Sequence, residues 1–344
     1  MKSDFVQERE NILRQYQKLI LADYSEIQDY IIQLFTFQYK YNKTYQIFCD
    51  YLGITNTNIS STEEIPFLPI SAYKHHTIKT GEFNPQIIFT SSGTTGVSTS
   101  RHYISDVQHY LQNTVQIWNS HFSPTNQNCF LALLPSYLER TGSSLVSMVE
   151  HFITLSDFKE SGFYIHDYDR LYQQLLSCEK QNIPVVIIGV TYAVLDFSTT
   201  YPCHMPHLSV IETGGMKGLR NEMTKAELHS ILKSNFGTDK ILSEYGMTEL
   251  LSQAYTNEQG RFCQNTFLKI KTAQINDPLT SEKKGKTGII CCTDLANIDS
   301  CAFIQTEDIG IMYEDETFTI AGRLTAADAR GCNLLLADIG WNTI

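Results

Sequence analysis

The chain has 344 residues, 42% of them hydrophobic and 18% charged, with a formal net charge of −11. That length suits one large α/β domain or two smaller ones, and the composition excludes global disorder. The acidic balance, with no dense run of Lys and Arg, excludes nucleic acid as the main partner, because phosphate backbones need clustered cations.

The nine cysteines lie scattered at positions 49, 129, 178, 203, 263, 291, 292, 301 and 332, with no CxxC pair. The N-terminus MKSDFVQEREN is polar and charged, unlike a secretory leader, and no apolar run is long enough to span a bilayer. These features predict free thiols, a reducing cytoplasm and no membrane span.

Residues 4 to 52 carry apolar side chains at a period near 3.6, in VQERENILRQYQKLI and again in DYSEIQDYIIQLFTFQYKYNKTYQIFCDYL. This predicts an N-terminal helical layer, assigned to residues 1–64. IPFLPISAYKHH, with two prolines, reads as an extended connector, and its His75-His76 pair as solvated. Short apolar runs follow, each ending in a loop. They are QIIF, CFLALL, VVIIGV, LSVIE, KILS and GIICC. Helical stretches separate several of them. In TKAELHSILKSNFG, Thr224 and Glu227 fit a capping box and Gly237 a C-terminal stop. Strand, loop and helix in alternation predict a layered α/β fold with ligands at the carboxyl ends of strands. The stretch from Ile290 to Arg323 reads instead as several short strands, with a hairpin turn near Glu314-Asp315-Glu316. Cys129, Cys291 and Cys292 lie in apolar strand-like runs and are predicted core residues.

Four loops carry chemistry-bearing residues. After the strand-like Ile87-Ile88-Phe89, predicted to be buried, Thr90, Ser91, Ser92, Thr94 and Thr95 offer hydroxyls, and Gly93 and Gly96 permit close backbone approach. This is either a phosphate cradle or an ordinary polar turn; it is not a Walker A loop, since no G-K-[ST] closes it. In SEYGMTELLSQAY, Glu249 beside Thr248 is placed either to hold Mg²⁺ against phosphates or to begin a helix, and Tyr245 to stack on a flat base. In IETGGMKG, Gly214 and Gly215 form either a backbone wall near a flat ligand or a plain turn. In QTEDIGIMYEDETFTIAGRL, Asp308 suits a pair of ribose hydroxyls and Arg323 a phosphate or ribose, against the alternative of surface charges. In a further loop, LPSYLERTGSS, Arg140 either meets a substrate carboxylate or a phosphate or lies on the surface, and Ser143 either lines a substrate or, with Ser144, opens a helix. The ten histidines show no metal spacing such as HExxH.

Together, and in this order, these segments resemble the adenylate-forming superfamily: acyl- and aryl-CoA ligases, luciferases and adenylation domains. The likeness covers roughly residues 65 to 331. It implies the layered sheets and helices of that superfamily's N-terminal domain. ATP binding is implied at Ser91, Ser92, Gly93, Thr94, Thr95, Gly96, Gly214, Gly215, Tyr245, Gly246, Thr248 and Asp308. Glu249 is implied as catalytic residue and Mg²⁺ ligand, and Arg323 as the hinge arginine. Two departures narrow the match. The Pro-Lys that usually follows the hydroxyl loop is replaced by Val97-Ser98-Thr99-Ser100-Arg101, so Arg101 stands nearest to the missing charge. Only 21 residues follow Arg323, so no full mobile C-terminal domain is expected.

This shortened form resembles the acyl-protein synthetases of bacterial luminescence, the LuxE type, in LPSYLERTGSSLVSMV, ETGGMKG, EYGMTELLSQAY and RGCNLLL. The resemblance implies a 65–321 adenylation core and a 322–344 tail carrying Cys332. It implies activation of a carboxylic, fatty acid with ATP, then acyl transfer to Cys332. The partners implied are the acid and an acyl-accepting reductase or acyl carrier protein. The alternatives are a ligase that passes the acyl group to coenzyme A or a carrier protein, and a non-catalytic nucleotide- or acyl-binding partner.

Overall fold

The computed structural model describes residues 2–91, 99–134, 142–165, 167–214 and 223–324. The described residues pack as two compact units, the first drawn from 1–113, 247–252 and 264–324, the second from 114–246 and 253–263.

The first unit begins with the expected helical layer: α1 (Lys2–Tyr16), α2 (Tyr24–Tyr41) and α3 (Lys43–Tyr51). Asp23 and Glu26 form a reciprocal capping box at the start of α2, which satisfies two otherwise orphan amides. Asn42 caps α3 by accepting from the Tyr45 amide. The dense aromatics have a packing role. Phe35 and Tyr45 pack edge-on to each other and both against Phe303, with the Tyr45 and Phe303 rings stacked 5.9 Å apart. Gln38, fully buried, donates to the carbonyls of Asn297 and Ile298 and accepts from the Ala302 amide. The helical layer is thus hydrogen-bonded to the segment that leads into Phe303.

That segment belongs to an antiparallel meander of β11 (Leu268–Ala273), β12 (Thr287–Asp294), β13 (Phe303–Met312) and β14 (Thr317–Arg323). The turn between β13 and β14 falls on Glu314-Asp315-Glu316 as expected, with Glu316 at φ 63°. Gly310 is required here, because a Cβ would overlap the Thr319 carbonyl oxygen. The proline-rich connector is not extended throughout. It holds β1 (Leu68–Pro69), parallel to β13, and a short helix α4 (Ala72–His75).

β2 (Ile87–Thr90) and β3 (Arg101–Ile104) form a separate antiparallel pair. The expectation of a buried first strand is corrected: Phe89 is buried, but Ile88 is exposed. A two-stranded ribbon covers only one face, so its side chains alternate between core and solvent. β3 alternates in the same way, with His102 and Ile104 buried and Arg101 exposed. The hydroxyl loop therefore joins two paired strands, and its neck is closed where Ser91 and Ser100 bond to each other.

The second unit is built on five parallel strands in the order β5-β4-β6-β7-β8: β4 (Cys129–Leu133), β5 (Gly162–Phe163), β6 (Val185–Val190), β7 (Ser209–Thr213) and β8 (Ile241–Tyr245). β9 (Ala254–Thr256) and β10 (Phe262–Cys263) continue from β8 antiparallel. Every residue of β4 and β6 is buried, as parallel strands covered on both faces require. The covering helices are α6 (Ser144–Leu155), α7 (Tyr168–Lys180), α8 (Thr191–Thr200) and α9 (Lys225–Phe236), with the C-terminal part of α5 (Val107–His121). Trp118 packs among Phe122, Phe130, Phe152 and Tyr255. The Thr224–Glu227 capping box and the left-handed Gly237 bound α9 as expected. Cys129, Cys291 and Cys292 are buried core residues.

Candidate active site

In the first unit, the loop from Met247 to Ser252 carries Glu249, whose side chain is 4% exposed. Burial pushes its carboxyl above the ordinary carboxylate range. A hydrogen bond from Ser100, its own backbone amide, and the charges of Lys74 and Arg323 pull it back down. Ser100 is also the residue that closes the neck of the hydroxyl loop, so the loop and the acid share a partner. Lys74, on α4, lies 3.7 Å from Glu307. Sequence reasoning missed Lys74, because a lysine between prolines and histidines carries no motif of its own.

The backbone of the Glu249 loop is held by buried side chains. His102 Nδ1 lies 2.8 Å from the Thr248 carbonyl, and its Nε2 lies 3.1 Å from Asn297 Oδ1. Asn297 Nδ2 donates to the Glu249 carbonyl at 2.9 Å. Asn113 Nδ2 donates to the Leu251 carbonyl at 2.8 Å. Asp294 accepts from the Leu251 and Ser252 amides at 2.6 and 3.2 Å, and from the Ser252 hydroxyl at 2.6 Å. Thr248 thus enters through its carbonyl. None of His102, Asn113, Asp294 and Asn297 stood out in the sequence.

Asp308 and Arg323 are cross-strand partners on β13 and β14, and Arg323 Nε donates to Asp308 Oδ1 at 2.7 Å. Asp308 is buried and Arg323 is mostly exposed. Both predicted residues therefore exist as an ion pair, with the arginine's outer face toward solvent.

The second unit concentrates polar groups at the carboxyl ends of β7 and β8. Glu212 is fully buried and bonded to Lys225, Ser243 and His229, and to the Thr191 hydroxyl at 2.5 Å. Burial alone would raise its carboxyl. The bonds to His229, Lys225 and Ser243 outweigh burial and hold it down at about 2. Neighbouring Glu244 accepts from Thr213 and is pushed up to about 7, by burial first and by the Glu212 charge in addition. Gly214 follows with φ +76°, and Gly246 lies where any Cβ would overlap the Glu244 carboxylate. Tyr245 is 8% exposed, its ring tilted against Phe262. Ser143 caps α6 by accepting from the Val146 amide, the helix-start alternative for that residue. Ser92, Gly93, Thr94, Thr95, Gly96, Arg140, Gly215 and Cys332 lie outside the described residues.

Among the described residues, no three His, Cys, Asp or Glu side chains converge as a metal site. A single buried carboxylate such as Glu249 nevertheless fits Mg²⁺, which takes one or two carboxylates and completes its shell with water and substrate phosphates.

The acyl-protein synthetase, LuxE family model matches residues 22–339. A long-chain-fatty-acid–luciferin-component ligase of Aliivibrio fischeri is 22% identical over 370 residues, covering 94% of this chain and 91% of its own. One from Vibrio harveyi is 21% identical over 345 residues, covering 88% and 85%. The solved structure of a 2-hydroxyisobutyryl-CoA ligase with 2-HIB-AMP and CoA aligns with a TM-score of 0.64 at 10% identity, over 88% of this chain and 76% of that one. An ATP-bound RpMatB-BxBclM chimera aligns with a TM-score of 0.53 at 17% identity, over 70% of this chain and 49% of that one. At these identities the solved structures establish a shared fold. The family match spans nearly the whole chain, and the chain belongs to the acyl-protein synthetase, LuxE family.

Proposed function

We propose that the chain activates a fatty acid with ATP and then loads the acyl group onto Cys332. In the first step the acid's carboxylate attacks the α-phosphorus of ATP, pyrophosphate leaves, and a mixed acyl–phosphate anhydride results. In the second step the Cys332 thiolate attacks the acyl carbon. A thioester forms, AMP departs, and the thiol proton goes to solvent.

The observation that carries the reading is the buried Glu249, bonded to Ser100 at the neck of the hydroxyl loop and within the fields of Lys74 and Arg323. An acid kept this dry among cations suits a site where phosphate charge shifts. Mg²⁺, when bound with the nucleotide at Glu249, supplies counter-charge to phosphate oxygens. Lys74, whose charge already acts on Glu249, is a second candidate beside Arg101 for counter-charge to phosphate. Asp308 orients ribose hydroxyls, and Arg323 meets phosphate through its solvent face. Ser91 through Gly96, Gly214, Gly215, Tyr245, Gly246 and Thr248 are assigned to the nucleotide, and Arg140 and Ser143 to the acid, by motif resemblance. The relatives named as fatty-acid ligases support the substrate class. An acyl-accepting reductase is the proposed consumer of the thioester. The cytoplasm is the proposed location.

Intact mass after incubation with ATP, Mg²⁺ and a series of fatty acids tests this. A gain of one acyl group, released by hydroxylamine and absent in Cys332→Ser, is expected. Cys332→Ser should still exchange pyrophosphate into ATP. Pyrophosphate release that needs added coenzyme A or carrier protein would move the acceptor outside the chain. Absence of all turnover would leave a binding protein.

A further inference from the structure

We infer that His102 and Asn297 are positioning residues for Glu249, acting through the two successive carbonyls of Thr248 and Glu249. The inference rests on the acid-activation reading above.

Residues 247–252 form neither helix nor strand, yet the loop is largely buried. Its backbone groups have no ladder to satisfy them and need other partners. Four side chains, each at most 1% exposed, supply these: His102, Asn113, Asp294 and Asn297. They divide the work. Asp294 and Asn113 hold Leu251 and Ser252, the far half of the loop. His102 and Asn297 hold Thr248 and Glu249, the half that carries the acid.

The donor pattern links the two. Asn297 must point Nδ2 at the Glu249 carbonyl, which can only accept, so Oδ1 faces His102 Nε2. The Thr248 carbonyl and Asn297 Oδ1 are both acceptors, and burial holds the His102 imidazole down at about 4, so the neutral ring donates its one N–H to one of them and reaches the Glu249 carbonyl only through Asn297. Both residues are themselves fixed. The Asn297 carbonyl accepts from Gln38 and its amide donates to the Asp294 carbonyl. His102 pairs with Phe89 in the β2–β3 ladder and meets the Tyr73 ring edge-on. A metal-holding carboxylate misplaced by about 1 Å loses much of its effect, so a rigid mount of this kind governs rate more than binding of the acid.

Full-length His102→Leu, His102→Gln and Asn297→Asp proteins test this. Pyrophosphate exchange would be measured at varied acid and Mg²⁺, MgATP binding by calorimetry without acid, and folding by thermal melt. Because Asp294 and Asn113 still hold Leu251 and Ser252, folded protein is expected. His102→Leu and Asn297→Asp should lose about 10- to 100-fold in kcat and bind MgATP about tenfold more weakly, the scale for a lost outer-shell partner. KM for the acid should stay within about twofold, since both side chains are buried away from solvent and from any bound acid. His102→Gln keeps a donor near the Nε2 position and should recover most of the loss. Should His102→Leu fail to fold, Asn297→Asp against His102→Gln decides. Folded variants with unaltered kcat and MgATP affinity, or a Gln variant no better than Leu, would overturn the positioning role. A wild-type protein with no exchange at all would overturn the acid-activation reading, and this inference with it.

Discussion

Arg323 and Asp308 face each other at the end of the β13–β14 ladder, Nε donating to Oδ1 over 2.7 Å. The pair is lopsided, the arginine side chain 72% exposed and the aspartate 7%. Such half-solvated pairs contribute at most about 1 kcal/mol to stability. Arg323→Ala should therefore change urea unfolding by less than about 1 kcal/mol. Pyrophosphate exchange should fall by about tenfold or more if Arg323 is the cation proposed to meet phosphate. A stability loss that accounts for the whole activity loss would make Arg323 structural only.

Glu249→Gln separates chemistry from folding more sharply. Burial raises the Glu249 carboxyl, so its ionised form costs stability in the empty protein. The neutral isostere should melt no lower than wild type at pH 8. Its Mg²⁺-dependent exchange should drop by about 100-fold or more. Retained exchange would remove Glu249 from the machinery.

The acid pair at the ends of β7 and β8 makes stability depend on pH in two windows. Glu212 is held at about 2, below its ordinary value of 4.5, so the unfolded chain binds the extra proton between those limits and stability rises with pH there. Glu244 sits at about 7, above 4.5, so the folded chain holds the extra proton and stability falls as pH rises from about 4.5 to 7. Glu244→Gln should match wild type near pH 5. It should exceed wild type by a few kcal/mol, on the order of the pKa displacement, at pH 8. Denaturant melts across pH 4 to 9 would read this, and parallel curves would sink it.

Gln38 connects the helical layer to the site. Its three buried bonds reach Asn297, Ile298 and Ala302. Gln38→Leu leaves two carbonyls and an amide unsatisfied and should cost about 2–4 kcal/mol. Because the Asn297 carbonyl loses its donor, exchange should fall as well, even at temperatures where the variant is folded. A stability loss with full activity in the folded fraction would uncouple the helical layer from Glu249.

Local signals in the chain were readable where the physics is local. The box at Thr224 and Glu227 and the stop at Gly237 need only neighbours within one turn, and they bound α9 as expected. The strand at Ile87–Thr90 misled, because an apolar run does not reveal whether one or both faces will be covered. The connector misled similarly, as two prolines hid the turn of helix that presents Lys74.

By itself, the sequence determined the alternation of strand and helix, which follows from periodicity and capping that act over a few residues; Glu249 came forward through the resemblance of its loop to a family motif. Tertiary structure alone decided what surrounds that acid. His102 reaches Thr248 across 146 residues of chain, and Asn297 reaches Glu249 across 48. A histidine and an asparagine have no signature of their own as clamps. They become one only when folding removes water from a loop whose carbonyls must still find donors.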